Sequence, residues 1–295
     1  MQLARLTAFE IAAAALLRLD PLKSGCISVA NCGLARWLVR PRHELVTANI
    51  RGRRCIVPLD DLVGRSIFLA GDLDPKITWV IDRYVRGGDT VLDVGANLGL
   101  VSLLLASRAQ ANGRILMFEP ARDMLALLHE TLALNDDSGM RLFPFALGRK
   151  EETLTLTVPE GNAGAASLIA ENVRWQKESY SVPVRRLSDV FSEEKVGSVD
   201  FMKIDVEGFE PEVFGGLFDD PAAPRPKLIV FENNGLAASP AEAILKDNGY
   251  RIFGLPRRLV FPQLVPESHA DYARSHDLVA IHEHADPGRL RGLGL

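Results

Sequence analysis

Ten residues, Thr90–Gly99 (TVLDVGANLG), constrain the fold of this chain more than any other stretch. Val91, Leu92 and Val94 have the apolar density of a strand buried on both faces. Asp93 breaks that run just before Gly95. Gly95, Ala96, Asn97 and Gly99 then turn the chain, and Leu98–Ala106 continues as an apolar helix. A strand, a turn of small residues and a helix N-terminus leave bare backbone where a ligand can approach. A carboxylate inside a sheet is costly unless it has a partner. The stretch reads either as a nucleotide-type cofactor site or as an ordinary strand-to-helix turn, and the ends of the other strands discriminate between the two.

The chain around it alternates. Asp74 and Pro75 form an N-cap and a first-turn proline, so a helix runs to about Arg86 and stops at Gly87 and Gly88. A strand follows at Arg114–Phe118, then a helix over Ala121–Leu134 with Met124, Leu125, Leu128 and Leu132 on one face, then a strand at Arg141–Leu147. Thr153–Val158 alternates as a half-exposed hairpin strand does, with Ser181–Arg185 as its partner. Pro159–Tyr180, with Gly161 and Gly164, is long enough to be a lid or a plain surface loop. Asp200–Val206 and Lys227–Phe231 are strands, and Pro211 opens a helix between them. Ser239, Pro240 and Glu242 signal a capped helix that ends at Gly249. Tyr250–Leu255 and Leu278–His282 are the last strands. This repetition predicts an α/β, doubly wound, mostly parallel sheet with helices on both faces.

Residues 1–74 read as a helical and β cap on the main domain at 75–285, and the tail 286–295 lacks periodicity and is expected to be mobile. The cap is helical to about residue 45, including an amphipathic helix over Phe9–Leu19, and then strand-like at Leu45–Ile50, Arg54–Leu59 and Ser66–Ala70. The apolar run Ile11–Leu17 falls far short of the ~20 residues of a membrane-spanning helix. Lys23 in LKSGC breaks the likeness to a lipoprotein cleavage site. Arg40, Arg42, Arg51, Arg53 and Arg54 could grip an acidic partner, but a solvated face accounts for them more simply. A net charge of −4 gives no bulk attraction to nucleic acid. Three cysteines, Cys26, Cys32 and Cys55, are odd in number and lack zinc spacing, so reduced thiols in the cytoplasm are expected.

Four strands carry an acid at the carboxyl end: Asp93, Glu119, Asp205 and Glu232. In a doubly wound sheet those ends share one crevice, where ligands bind. Glu119 lies one strand–helix–strand unit after Asp93, the spacing at which an acid reaches ribose hydroxyls. Lys203, Asp205 and Glu207 share one face of their strand. They form either part of a site or a Lys203–Asp205 ion pair with no further role. Asn97 stands where the second glycine of G-x-G-x-x-G would admit a pyrophosphate, so a cofactor without one, such as S-adenosylmethionine, fits better.

VLDVGAN, FEP, a strand ending in FAL, DFMKIDVEGFE and VFEN, in that order over roughly Pro75–Glu283, resemble the FkbM-type methyltransferases. The resemblance implies a class I, Rossmann-like methyltransferase fold of seven strands, the last antiparallel. It implies S-adenosyl-L-methionine as cofactor and a small-molecule or glycan hydroxyl as acceptor, methylated on oxygen. By that likeness Asp93, Gly95, Ala96, Asn97 and Gly99 line the methionine end, Glu119 holds the ribose, Ala146 borders the adenine and Asp205 faces the sulfonium. Asp205 is then the first candidate for the base, with Glu207 or Glu232 second and Lys203 beside them. His276 is a remote alternative. Asp205, Glu232 and Asn233 also resemble the acid–acid–asparagine set of magnesium-dependent catechol-type methyltransferases, but Glu232 stands where an aspartate is expected, and the site is read as metal-free. A nicotinamide-dependent oxidoreductase and a non-catalytic cofactor-binding or assembly module remain the competing readings.

Overall fold

The computed structural model describes residues 3–18, 25–135, 139–160, 163–173, 175–233, 239–258 and 260–295. Lys23, Gly161 and the end of the helix expected over Phe9–Leu19 lie outside the described residues.

The cap opens with α1 (Ala8–Leu17), held by a capping box in which Thr7 and Glu10 satisfy each other's backbone amides. Next come α2 (Cys26–Asn31) and α3 (Gly33–Leu38). The antiparallel hairpin of β1 (Leu45–Ile50) and β2 (Arg53–Pro58) follows. Ser66–Ala70, expected as a strand, is instead the second half of α4 (Leu62–Ala70). The Asp61 carboxylate caps it by accepting from the Val63 and Gly64 amides, both at 2.8 Å. Residues 64–69 are all buried, and a helix buried all round has no polar stripe by which its period could be read.

The main domain runs α5 (Pro75–Tyr84), β3 (Thr90–Val94), α6 (Leu100–Ala109), β4 (Arg114–Phe118), α7 (Arg122–Asn135) and β5 (Met140–Phe143). It continues with β6 (Ala146–Leu147), β7 (Glu152–Pro159), β8 (Gln176–Arg185), α8 (Leu187–Glu193), β9 (Phe201–Ile204), α9 (Glu210–Phe218) and β10 (Leu228–Glu232). The chain closes with α10 (Pro240–Asp247), β11 (Tyr250–Leu255), β12 (Val265–Pro266), β13 (Asp277–His282) and α11 (Pro287–Leu290). The main sheet has eight strands in the order β12-β11-β13-β10-β9-β3-β4-β5. β13 runs antiparallel between β10 and β11, and the two-residue β12 adds an edge strand to the seven expected. The strand order reverses between β3 and β9, so a crevice opens beyond their carboxyl ends. Val91 and Leu92 point into different apolar clusters, one on each face of the sheet.

Arg141–Leu147, expected as one strand, is two. Pro144 cannot donate to a ladder. β5 therefore stays in the main sheet, while β6 joins β8 and β7 in a separate three-stranded sheet. β7 pairs antiparallel with β8 as expected. Ser239 makes no side-chain cap bond to α10. Glu242 instead accepts from the Tyr272 hydroxyl at 2.6 Å. The tail, expected to be mobile, is docked. Asp286 caps α11, Leu290 and Leu293 are buried, and Arg289 holds the Asp89 carboxylate by two bonds of 2.6 and 3.0 Å. A bidentate ion pair and two apolar anchors hold ten residues that have no periodic pattern of their own.

Candidate active site

β3, β4, β9 and β10 end side by side and bring Asp93, Glu119, Asp205 and Glu232 to one crevice. Asp93 is registered with Lys203 across the β3–β9 ladder. It is 1% exposed. Its Oδ2 accepts from Ser102 Oγ at 2.5 Å, while Oδ1 is buried without a hydrogen-bond partner. Burial raises its carboxyl to about 6, opposed by the Lys203 charge.

The turn after β3 needs its glycines. Gly95 has φ +81°, and a Cβ there would stand 1.9 Å from the Asp205 carbonyl oxygen. The ends of β3 and β9 thus meet backbone to backbone. The amides of Gly95 and Ala96 both donate to the Phe118 carbonyl at 3.0 Å, which ties the turn to β4. Asn97, at φ +50°, donates its amide to Glu119 Oε2 at 2.8 Å, and its Oδ1 is buried without a partner. A Cβ at Gly99 would press on Leu128 at 2.7 Å. Glu119 is 6% exposed and also accepts from the Ala121 amide at 2.8 Å. Burial outweighs those two bonds and pushes its carboxyl up to about 7.

Lys203 is 5% exposed and donates from Nζ to Asp205 Oδ2 at 2.5 Å. Burial works against its charge, but Asp205 and Asp93 together hold its pKa above the ordinary lysine value. Asp205 itself is exposed to the crevice. Beside it, burial and then the Asp205 charge push Glu207 up to about 7. Burial, followed by Asp205 and Glu207, pushes Glu232 up to about 8. The Lys203–Asp205 pair therefore exists, and it stands inside a larger acidic group that raises its neighbours' pKa values.

The crevice has two lobes. The larger, about 360 Å³, has Asp93, Lys203, Asp205, Glu207 and Glu232 on one side, and Ile27, Val63, Ile67, Leu73 and Leu104 on the other. The smaller, about 50 Å³, lies between Glu119 and an apolar wall of Phe145, Ala146, Met124 and Leu156. Gly95, Asn97, Asp205 and Glu207 line both. Gly164, from the long β7–β8 connection, lines both as well. Ser167 Oγ and Asn172 Nδ2 donate to the Glu207 carbonyl at 3.1 and 2.8 Å, so that connection is tied to the site.

Sequence reasoning missed Lys76 and Asp277. Lys76 is buried at the start of α5, pairs with Asp74 and lies 2.6 Å from Asp277 Oδ2, and all three line the larger lobe. Nothing in a lysine on a first helical turn signals burial. His276 lines the same lobe. Asn233 is turned away toward Glu242 Oε1 at 3.4 Å rather than grouped with Asp205 and Glu232.

A family model described as the Methyltransferase FkbM domain matches residues 93–252. AMB antimetabolite synthetase AmbE of Pseudomonas aeruginosa is 30% identical over 202 residues, 55% of this chain but 9% of that protein. Methyltransferase sdnD of Sordaria araneosa is 32% identical over 192 residues, 55% of this chain and 73% of that one. The 31-O-demethyl-FK506 methyltransferase FkbM of Streptomyces tacrolimicus is 29% identical over 196 residues, 57% and 75% of the two chains. The matched span, more than half of the chain, begins at Asp93 and encloses the other three strand-end acids, and the chain belongs to the FkbM methyltransferase family.

Proposed function

We propose that this chain transfers the methyl group of S-adenosyl-L-methionine to a hydroxyl oxygen of a small-molecule or glycan acceptor. The observation that carries the reading is a pair of buried acceptors without donors, Asp93 Oδ1 and Asn97 Oδ1, beside a crevice rimmed by carboxylates. A buried acceptor left unpaired costs about 1–3 kcal/mol, so a ligand that brings N–H and O–H donors is favoured there. An ammonium group suits Asp93, ribose hydroxyls suit Glu119, and a flat apolar ring suits the lobe walled by Phe145 and Ala146. A pyrophosphate would meet the carboxylates of Asp93 and Glu119, which disfavours a dinucleotide.

The cofactor supplies an electrophilic methyl group on a cationic sulfur. The chain's own residues position the two reactants, and positioning alone is worth ~7–11 kcal/mol. Asp205, fixed by Lys203, would set negative charge beside the cationic sulfur. As the C–O bond forms and the C–S bond breaks, the acceptor hydroxyl gives up a proton. Glu207 and Glu232 are the better bases, because their carboxyls titrate near neutral pH, where a general base is most effective. Asp205, first on sequence grounds, is tied to Lys203. The apolar wall from the cap keeps water from competing for the methyl group.

Calorimetry with S-adenosyl-L-methionine tests the cofactor half of this reading. Glu119→Gln should weaken binding about tenfold or more, through loss of charged hydrogen bonds worth about 1.5–3 kcal/mol. No binding to the unaltered chain, or equal binding to both, would refute it.

A further inference from the structure

The outward face of the N-terminal cap is apolar where a surface helix is normally polar. On α1, Phe9, Ile11 and Leu16 are 56%, 54% and 67% exposed. On α3, Leu34 and Trp37 are 64% and 67% exposed. These are five of the ten large apolar side chains that stand exposed among the described residues, gathered within thirty positions of the chain. The inner side of the same layer is anchored. Glu10, Ala13 and Ala14 of α1 are buried, Arg42 just beyond α3 pairs with Glu10, and Arg65 of α4 donates to the carbonyls of Ala30 and Ala35 at 3.0 and 2.6 Å. The Glu10–Arg42 pair ties α1 to the segment that follows α3.

Charge singles out what covers that face. Arg5, Arg36 and Arg40, beside these helices in the chain, are exposed and have no acidic partner among the described residues. Residues 1–45 hold six basic and three acidic side chains, +3 in a chain whose total is −4, which leaves −7 for the rest. A second copy seated on the same patch would bring each arginine set against its symmetry mate. Anionic lipid offers the opposite charge to the arginines and an apolar boundary to Trp37, Leu34 and Phe9. We propose that the outer face of the cap docks on an anionic membrane surface.

Among the described residues no helix is long and apolar enough to cross a membrane, so the contact is peripheral. The inner side of the cap lines the larger lobe of the crevice through Ile27, Val63 and Ile67. Docking therefore holds the crevice about one helix layer, ~10 Å, from the lipid. The proposal stands whether or not methyl transfer to oxygen is the reaction.

The test is flotation of the full chain with vesicles of phosphatidylcholine, with and without phosphatidylglycerol. The chain should float with the anionic vesicles at low salt and be released as salt rises. Arg36→Gln with Arg40→Gln should weaken partitioning about 30-fold, roughly fivefold per charge. Leu34→Ser with Trp37→Ser should abolish it. Trp37→Phe should still bind but lose the blue shift of tryptophan emission on binding. All four side chains are exposed, so each variant should keep the Tm of the parent. Failure to float at low salt, or flotation unchanged by Leu34→Ser with Trp37→Ser, overturns the proposal. So does a dimer in sedimentation velocity that those serines convert to monomer, since a second copy would then own the face.

Discussion

Replacing Lys203 with methionine removes a positive charge from a place where it faces two carboxylates. The side chain is 5% exposed, its Nζ lies 2.5 Å from Asp205 Oδ2, and Asp93 sits opposite it across the sheet. Methionine fills similar space, so the change is chiefly electrostatic. Asp205 can turn its charge to the crevice. Asp93, 1% exposed, keeps only the bond from Ser102. Removing one partner of a buried ion pair costs about 3–5 kcal/mol, which for a domain of this size lowers Tm by roughly 10 °C. The pH dependence has a definite sign. Burial raises the Asp93 carboxyl from its ordinary 3.8 to about 6. Between those values the native protein keeps a proton that the unfolded chain has lost, so its contribution to stability falls as pH rises and levels off above the folded pKa. Without Lys203 the folded pKa moves higher and that decline extends further up. The deficit of the variant should be small near pH 5 and full near pH 8. Thermal unfolding followed by circular dichroism at both values measures it. Adding Asp93→Asn should restore most of the loss, because an asparagine oxygen can still accept from Ser102. A deficit under about 1 kcal/mol near pH 8, or one larger near pH 5, would refute the reasoning.

Two further outcomes follow from the same geometry. Gly95→Ala adds left-handed backbone strain of about 1–2 kcal/mol to a Cβ placed 1.9 Å from the Asp205 carbonyl oxygen, so it should lower Tm by several degrees and abolish cofactor binding in calorimetry; an unchanged protein would show that β3 and β9 do not meet there. Methyl transfer should quicken with pH through about 7 and 8 as Glu207 and Glu232 ionise, and Glu232→Gln should remove the upper part of that rise; a flat profile would exclude both as the base.

Much of this molecule is legible in its sequence, for reasons that are local. β3 and β4 have the expected bounds because each is a short apolar run closed by a turn. Gly95 and Gly99 mark their turn because no other residue takes those φ values without strain. The acids near the end of β3, just after β4 and β9 and at the end of β10 are visible because a charge at the edge of an apolar run stands out. Where local pattern and environment part, the reading fails. Ser66–Ala70 looks like a strand because burial on all sides erases helical periodicity. Residues 286–295 look mobile because their anchor, Asp89, lies about 200 residues away.

By itself the sequence determined the alternation of strands and helices in the main domain, the glycine turn after β3 and the set of carboxylates at the strand ends. Only the tertiary structure decided which of them share a crevice, which have their pKa raised by burial, and that Lys76, Ile27, Val63 and Ile67 line that crevice too. Periodicity and turn chemistry act between near neighbours in the chain. Desolvation and Coulomb interaction depend on distance in space, which is set once distant strands have packed together.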